Sequence, residues 1–313
     1  MRLVLVAADP ALNRSLASLL EARGHEVAGF QSWTVARRQM ETQSHANGLI
    51  VVEAGSDTPG PEICWEARLL ASDEQPVYIC LISRPLSSRD FIEALDCGAD
   101  DVLQLPLSSD ELYARLRAAQ RLIQAQRKLF DMATRDSLTG LFNRPAFFDR
   151  ATKLCREAEA PLAAIMIDID HFKSVNDRHG HAGGDKALRA VADCLKAGGD
   201  IVGRIGGEEF ALLVEGGDAG AVFRSADGLR QHIAGQEISV GATILRLTCS
   251  FGVAIGERSE NIDELLRKAD WALYAAKRSG RNKVALFETE RARAFSRPDS
   301  TIRVPGPRSI ALG

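Results

Sequence analysis

The 313 residues exceed one ordinary hydrophobic core and suit two domains of about 100–200 residues each. With 45% hydrophobic and 26% charged residues, the composition excludes chain-wide disorder, a collagen-like repeat and a simple coiled coil. The 39 basic and 42 acidic residues leave a formal net charge of −3, so no broad basic field exists to hold a polynucleotide. A single nucleotide is not excluded, because a metal ion can supply positive charge locally.

The six cysteines (Cys64, Cys80, Cys97, Cys155, Cys194 and Cys249) are scattered and form no C-x-x-C pair. They read as buried thiols in a reducing compartment rather than as disulfides or zinc ligands. No apolar run reaches the ~18–20 residues of a membrane span. The N-terminal MRLVLVAADP reads as a strand, since no small-residue cleavage site follows it. A soluble, cytoplasmic protein with no membrane span is expected.

Along residues 1–107, short apolar runs alternate with amphipathic stretches. Leu3–Val6, Glu26–Phe30, Leu49–Val52, Val77–Ile82 and Asp101–Leu105 are predicted strands, and Ala11–Arg23 and Phe91–Cys97 are predicted helices. This alternation predicts a doubly wound, parallel five-stranded α/β domain with both faces covered. Ser108-Ser109-Asp110-Glu111 has capping-box form, and neither Gly nor Pro recurs before Gly140, so a long linking helix is predicted over 108–134. Leu112, Leu116, Ala119, Ile123 and Phe130 form a heptad-like stripe. Its distal half is expected to leave its own sheet and pair with a second chain.

A second alternation begins near Asp136. Strands are predicted at Leu162–Ile169, Ile201–Ile205, Phe210–Val214, Leu247–Ile255 and Lys283–Phe287, and helices at Asp185–Ala197, Ala221–Ala234 and Ile262–Arg278. A hairpin inside this alternation predicts an α+β, ferredoxin-like sheet with its helices on one side. Residues 289–313 hold three of the eleven prolines and no periodicity, which predicts a disordered tail.

The chemistry-bearing residues cluster in this second half. Asp168-Ile169-Asp170 ends an apolar strand, so the two carboxylates share a face and Ile169 offers its carbonyl. Gly206-Gly207, predicted as a two-residue hairpin turn, is followed by Glu208 and Glu209. Together they would make an all-oxygen site suited to Mg²⁺ or Mn²⁺ with substrate phosphates. Between them, Asn176 and Asp185 pair an amide with a carboxylate, which suits the mixed donor and acceptor edge of guanine. Their ordinary roles would be a turn residue and a helix cap, with Asp185 starting a helix. His171, His179 and His181 lie close together in sequence, but a glycine-rich loop carries histidines for reasons other than zinc. Lys277 and Arg281, four apart at a helix C-terminus, could hold phosphates or simply complement the helix dipole.

Taken together, these motifs resemble the GGDEF family of diguanylate cyclases. The resemblance covers Asp136–Phe287 and includes Asp136-Ser137-Leu138-Thr139-Gly140-Leu141-Phe142-Asn143-Arg144, Asp168-Ile169-Asp170, the signature Gly206-Gly207-Glu208-Glu209-Phe210, and Gly280-Arg281-Asn282. It implies a palm-like domain over 135–288 that condenses two GTP molecules into cyclic di-GMP and pyrophosphate, each subunit of a homodimer holding one GTP. It also implies metal binding by Asp168, the Ile169 carbonyl and Glu208, with Glu209 assisting. The implied catalytic set is Glu208, Glu209 and Lys173. Asn176 and Asp185 would read guanine, while Phe172, Lys173, Gly206, Gly207, Lys277 and Arg281 would surround the phosphates. A product-inhibition site of the form Arg-x-x-Asp is common just before the signature; here Asp200 is present but Ala197 stands at the Arg position. Weak or absent feedback inhibition is therefore expected. The rival reading is a catalytically silent GTP-binding or scaffold protein, and the complete acidic set argues against it.

Residues 1–107 resemble a response-regulator receiver, most clearly at Gly98-Ala99-Asp100-Asp101. The acidic pair that holds Mg²⁺ in receivers aligns with Ala7 and Ala8, the phosphoacceptor with Glu53 and the Lys with Leu105, leaving only Ser83. Asp9 is one register step from the acidic pair. The resemblance therefore implies a degenerate receiver, without phosphorylation control, that serves dimerisation or a regulatory protein partner. Glu53 as a standing phosphomimic is the other reading.

Overall fold

The computed structural model describes residues 1–42, 46–52, 58–72, 74–241, 243–256 and 261–287. The chain divides into two compact units, Met1–Ala133 and Thr134–Gly313. Glu53 and the predicted tail at 289–313 lie outside the described residues.

The first unit alternates strand and helix throughout: β1 (Arg2–Ala7), α1 (Pro10–Glu21), β2 (Glu26–Phe30), α2 (Trp33–Thr42), β3 (Gly48–Val52), α3 (Gly60–Leu70), β4 (Tyr78–Ser83), α4 (Ser88–Asp96), β5 (Asp101–Gln104) and α5 (Ser109–Thr134). Its five strands are all parallel, in the order β2-β1-β3-β4-β5. This is the doubly wound arrangement the alternation predicts. The β3 run Gly48–Val52 and the β4 run Tyr78–Ser83 are buried at every position, as strands covered on both faces must be. One sheet face packs Leu16, Leu20, Leu112 and Leu116 from α1 and α5; the other packs Trp33, Ala36, Ile63, Ala67 and Ala94 from α2, α3 and α4.

The helix α5 starts where the capping pattern places it, with the Ser108 hydroxyl accepting from the Glu111 amide at 3.4 Å. Its apolar stripe stays with its own unit as far as Ile123. Leu112, Leu116, Ala119 and Ile123 are buried in the core of their own unit. The large apolar side chains exposed along α5 are Leu122, Leu129 and Met132. Spacing alone could not separate these two seams, because both fit a helical period.

The second unit comprises α6 (Arg144–Glu157), β6 (Leu162–Ile169), α7 (Phe172–Leu195), β7 (Ile201–Arg204), β8 (Glu209–Glu215), α8 (Ala219–Ala234), β9 (Ile238–Val240), β10 (Thr243–Leu245), β11 (Cys249–Ile255), α9 (Ile262–Arg278) and β12 (Val284–Leu286). The main sheet runs β12-β11-β6-β8-β7, with every pair antiparallel except β11–β12; β9 and β10 form a separate hairpin. The four strands β11-β6-β8-β7 have the ferredoxin-like order. Helices do not lie on one side only. Ala163, Ile165 and Ile167 of β6 face α7 and α8, whereas Ala164 and Met166 face α6 and α9. The alternation along β6 is apolar on both faces, which is the signature of a strand covered twice.

Close seating of α9 depends on one residue of β11. A Cβ on Gly252 would strike the Ala269 carbonyl and the backbone of Leu273, so only glycine lets this helix lie against the strand.

Candidate active site

The site grows from the C-terminal end of β6. Asp168, the last residue but one of this strand, pairs in register with Glu209 of β8 and Ser250 of β11. Its side chain is 7% exposed and meets the Lys277 ammonium of α9, Nζ to Oδ2, at 2.7 Å. Burial pushes the Asp168 carboxyl above the ordinary range, against the opposing pull of Lys277.

Asp170 sits two residues on and has another task. Its carboxylate accepts from the Thr248 and Ser250 hydroxyls, both at 2.7 Å, and from the Asn282 amide at 2.9 Å. Arg281 and Asn282 both occupy the left-handed region, at φ 60° and 45°, a conformation that costs energy for side-chain-bearing residues. The Asp170 bond holds that turn from one side, and Arg230 of α8 donates to Asn282 Oδ1 at 2.9 Å from the other. Arg281 is thereby presented just beyond the last turn of α9, which carries Lys277.

The glycine signature forms a longer turn than the expected two-residue one. The Ile205 amide donates to the Glu209 carbonyl at 2.9 Å, leaving Gly206, Gly207 and Glu208 at the tip. A Cβ on Gly206 would collide with the Glu209 carboxylate, whereas Gly207 faces open space. Glu208 is carried beside β6: its carbonyl accepts from the Ile169 amide at 3.3 Å. Burial, then the negative charges of Asp168 and Glu209, push the Glu208 carboxyl up, opposed by Lys277.

This turn is braced by a contact that spacing did not reveal. Arg204 donates to the Gly207 carbonyl through Nε and Nη2, at 3.2 and 2.6 Å, and through Nη1 to both Asp136 oxygens, at 3.1 and 3.2 Å. Asp136 Oδ1 also accepts from the Thr139 amide and hydroxyl, at 2.9 and 2.7 Å. Burial raises the Asp136 carboxyl, but these donors and Arg204 outweigh it and hold the group below its ordinary range. The only sequence sign was an Asp three residues before a Thr, a common turn pattern.

The segment after β6 is helical where a loop was expected. His171 adopts φ 56° and opens α7 at Phe172; the helix breaks at Gly180 (φ 67°, ψ 173°) and resumes. Asp185 therefore lies inside the second segment rather than starting a helix. Phe172 is buried and Lys173 exposed. Asn176 packs so closely against Gly184 that a Cβ there would overlap its amide, which sets Asn176 beside the residue preceding Asp185. Asp168, Ile169, Glu208, Glu209 and Lys277 thus gather around the end of β6, while Asn176 and Asp185 gather across the break in α7.

Among the described residues, no three His, Cys, Asp or Glu side chains converge as a preformed metal site. What the β6 end offers is more open: two mutually repelling carboxylates, Asp168 and Glu208, and the Ile169 carbonyl. Hard oxygen donors with unbalanced negative charge fit Mg²⁺ or Mn²⁺, which complete their shells with water and phosphate oxygens.

Residues 133–283 match the family model described as "Diguanylate cyclase, GGDEF domain". The response regulator PleD of Caulobacter vibrioides is 35% identical over 214 residues, 62% of this chain and 46% of that protein. The diguanylate cyclase DgcM of Escherichia coli O157:H7 is 33% identical over 235 residues, 70% of this chain and 56% of that protein. The chain therefore spans about half the length of these curated relatives. Among solved structures, the coiled coil and GGDEF domain of DgcB from Caulobacter crescentus, in complex with c-di-GMP, superposes with a TM-score of 0.52 at 32% identity. That match covers 56% of this chain and 97% of the DgcB chain.

Proposed function

Because the chain belongs to the GGDEF family, we propose that it is a metal-dependent diguanylate cyclase, acting as a homodimer that condenses two GTP molecules into cyclic di-GMP. The observation carrying this reading is the meeting of Asp168 and Glu208 at the end of β6, with Lys277 on the same carboxylate. Residues 135–288 are taken as the catalytic domain, 1–107 as a receiver-like domain and 108–134 as the helix linking them.

In this reading each subunit presents one GTP to the other. Each 3′-hydroxyl attacks the partner nucleotide's α-phosphate, so two phosphodiester bonds form, two pyrophosphates leave and two protons are released. Asp168, the Ile169 carbonyl and Glu208 would hold Mg²⁺ or Mn²⁺, with Glu209 beside them. The ion would neutralise triphosphate charge and favour ionisation of the attacking hydroxyl. Lys277, Arg281, Lys173 and the open backbone at Gly206-Gly207 would bind phosphate oxygens, and Phe172 would wall the cleft. Asn176 and Asp185 would read guanine, since a carboxylate accepts from its ring N–H and amino group but meets no such pair on adenine.

The dimer reading draws on Leu122, Leu129 and Met132, exposed along α5. Independence from receiver phosphorylation draws on Asp9, whose Oδ1 caps α1 by accepting from the Ala11 amide at 2.8 Å, and on the apolar Leu105. The first unit would then serve assembly or a regulatory protein partner. Product feedback would be weak, because Asp200 is occupied by the Glu215 amide at 2.7 Å and Lys196 by Asp193 at 2.6 Å. No helix among the described residues is long and apolar enough to cross a membrane, which fits the cytoplasmic location proposed here.

The test incubates the purified 313-residue chain with GTP and Mg²⁺ and separates the products by chromatography, with Glu208→Ala as control. Cyclic di-GMP from the wild type alone is expected. A folded dimer that binds GTP and yields none would leave the silent GTP-binding reading in its place.

A further inference from the structure

The ion pair between Lys277 and Asp168 places two groups of the proposed site on each other rather than on a ligand. Asp168 is almost fully buried, and a buried carboxylate requires a compensating partner. Asp170, two residues away, gets its compensation from two hydroxyls and an amide. Asp168 gets it from a full positive charge. A divalent cation approaching Asp168 would meet an ammonium 2.7 Å from Oδ2 and be repelled by it.

Lys277 is built to leave. Its backbone is fixed on α9, which Gly252 seats tightly on β11, yet its side chain remains 31% exposed on a flexible four-carbon stem. Rotation of that stem can take the ammonium off Asp168 without moving the helix. A polyphosphate bound at Arg281, one short turn beyond, would be an anion to receive it.

We infer that Lys277 acts as a counterion lock: in the nucleotide-free site it occupies Asp168 in place of the divalent cation, and it yields only to a polyphosphate. This inference rests on the metal and nucleotide reading proposed above. It makes metal and nucleotide binding mutually dependent, because the phosphate that draws Lys277 away frees the carboxylate for metal. By linkage, metal must tighten nucleotide binding by the same factor.

The experiment measures Mn²⁺ binding to the whole 313-residue chain by electron paramagnetic resonance, with and without 3′-deoxyGTP, which lacks the attacking hydroxyl. Wild type is expected to bind Mn²⁺ weakly alone and at least tenfold more tightly with the nucleotide. Lys277→Met should bind Mn²⁺ alone at least fivefold more tightly than wild type, while binding 3′-deoxyGTP more weakly. Lys277→Gln retains a neutral donor for Asp168 and should shift in the same direction, covering the case in which the methionine variant does not fold. If both folded variants, or the one that folds, bind Mn²⁺ alone no better than wild type, Lys277 supports the carboxylate rather than locking it, and the inference fails by itself. If wild type binds no Mn²⁺ even with nucleotide, the metal reading fails as well.

Discussion

The two units each carry acidic residues at the ends of their strands and use them in opposite ways. In Met1–Ala133 these acids, among the described residues, are consumed by structure. Asp9 caps α1, Asp100 accepts from the Ile79 amide and Arg68 at 2.7 Å each, and Asp101 takes Tyr78 at 3.0 Å and Arg115 at 3.2 Å. In the second unit, Asp170 and Asp136 are consumed likewise, but Asp168 and Glu208 are both pushed up by burial, and the charge of Asp168 adds to the rise at Glu208, with Lys277 opposing both. Unresolved charge, rather than the mere presence of acids, separates a site of chemistry from a scaffold that resembles one.

The contrast breaks most readily at Glu208. Glu208→Ala should lower cyclic di-GMP formation at least ~100-fold while leaving the thermal midpoint unchanged or higher, since it removes a donor from the reaction and a repulsion from the fold. A comparable loss of stability would show that Glu208 is structural after all. Next in size is the brace of the signature turn. Asp136→Asn leaves Arg204 without its ionic partner and should cost about 1–3 kcal/mol in denaturant unfolding, with KM for GTP rising more than kcat falls. In the first unit, Asp100→Ala orphans the Ile79 amide and should cost about 1–2 kcal/mol, with GTP binding unaltered by calorimetry. Both substitutions destabilise, but only the one beside the site should touch the nucleotide.

The opposing pKa shifts give a subtler contrast. Asp168 and Glu208 are raised, so the ligand-free fold holds more protons than the unfolded chain as pH climbs through and just above the ordinary carboxylate range. Their contribution to stability is complete at acid pH and declines across that window. Asp136 is lowered, so its contribution is complete above the ordinary carboxylate pKa and is lost as pH falls below it. Glu208→Gln should therefore flatten the decline above pH 4–5 (about the carboxylate range) in urea midpoints, and Asp136→Asn should flatten the loss below it. The smallest expected effect is none: acetyl phosphate with Mg²⁺ should neither label the chain nor change its rate. Labelling that disappears in Glu53→Ala would overturn independence from phosphorylation.

Much of this architecture was legible because burial imposes a period. β6 over Leu162–Ile169 and α9 over Ile262–Arg278 match the predicted bounds, the first as an apolar run broken only at Asp168 and the second as a strongly one-sided helix. The start of α7 was hidden because His, Asn, Asp and Gly signal a loop locally, whereas Phe172 and Val175 bury a helical face. Helix placement on both sheet faces was hidden for a different reason. Ala164 and Met166 are as apolar as Ala163 and Ile165, and only packing tells which helix each meets. The meeting of Glu208 with the end of β6 was expected from the paired acidic motifs. The long-range partners were not: Arg204 reaches Asp136 across 68 positions, and Asp170 reaches Asn282 across 112. No local pattern encodes such distances.

Gly252 lies far from the reacting groups in sequence, yet the missing methyl there fixes how near α9 comes to β11. Lys277 rides on that helix and Asp168 on β6, the strand adjoining β11. The spacing of the ion pair is therefore a dimension of the backbone, transmitted through one helix–strand contact. An alanine at 252 would push α9 outward and lengthen the reach demanded of the lysine, altering the charge balance of the site without touching any charged residue. On the proposed reading, ligand affinity would respond to steric volume at a distance, at a position that an inventory of the residues around the ligand would not contain.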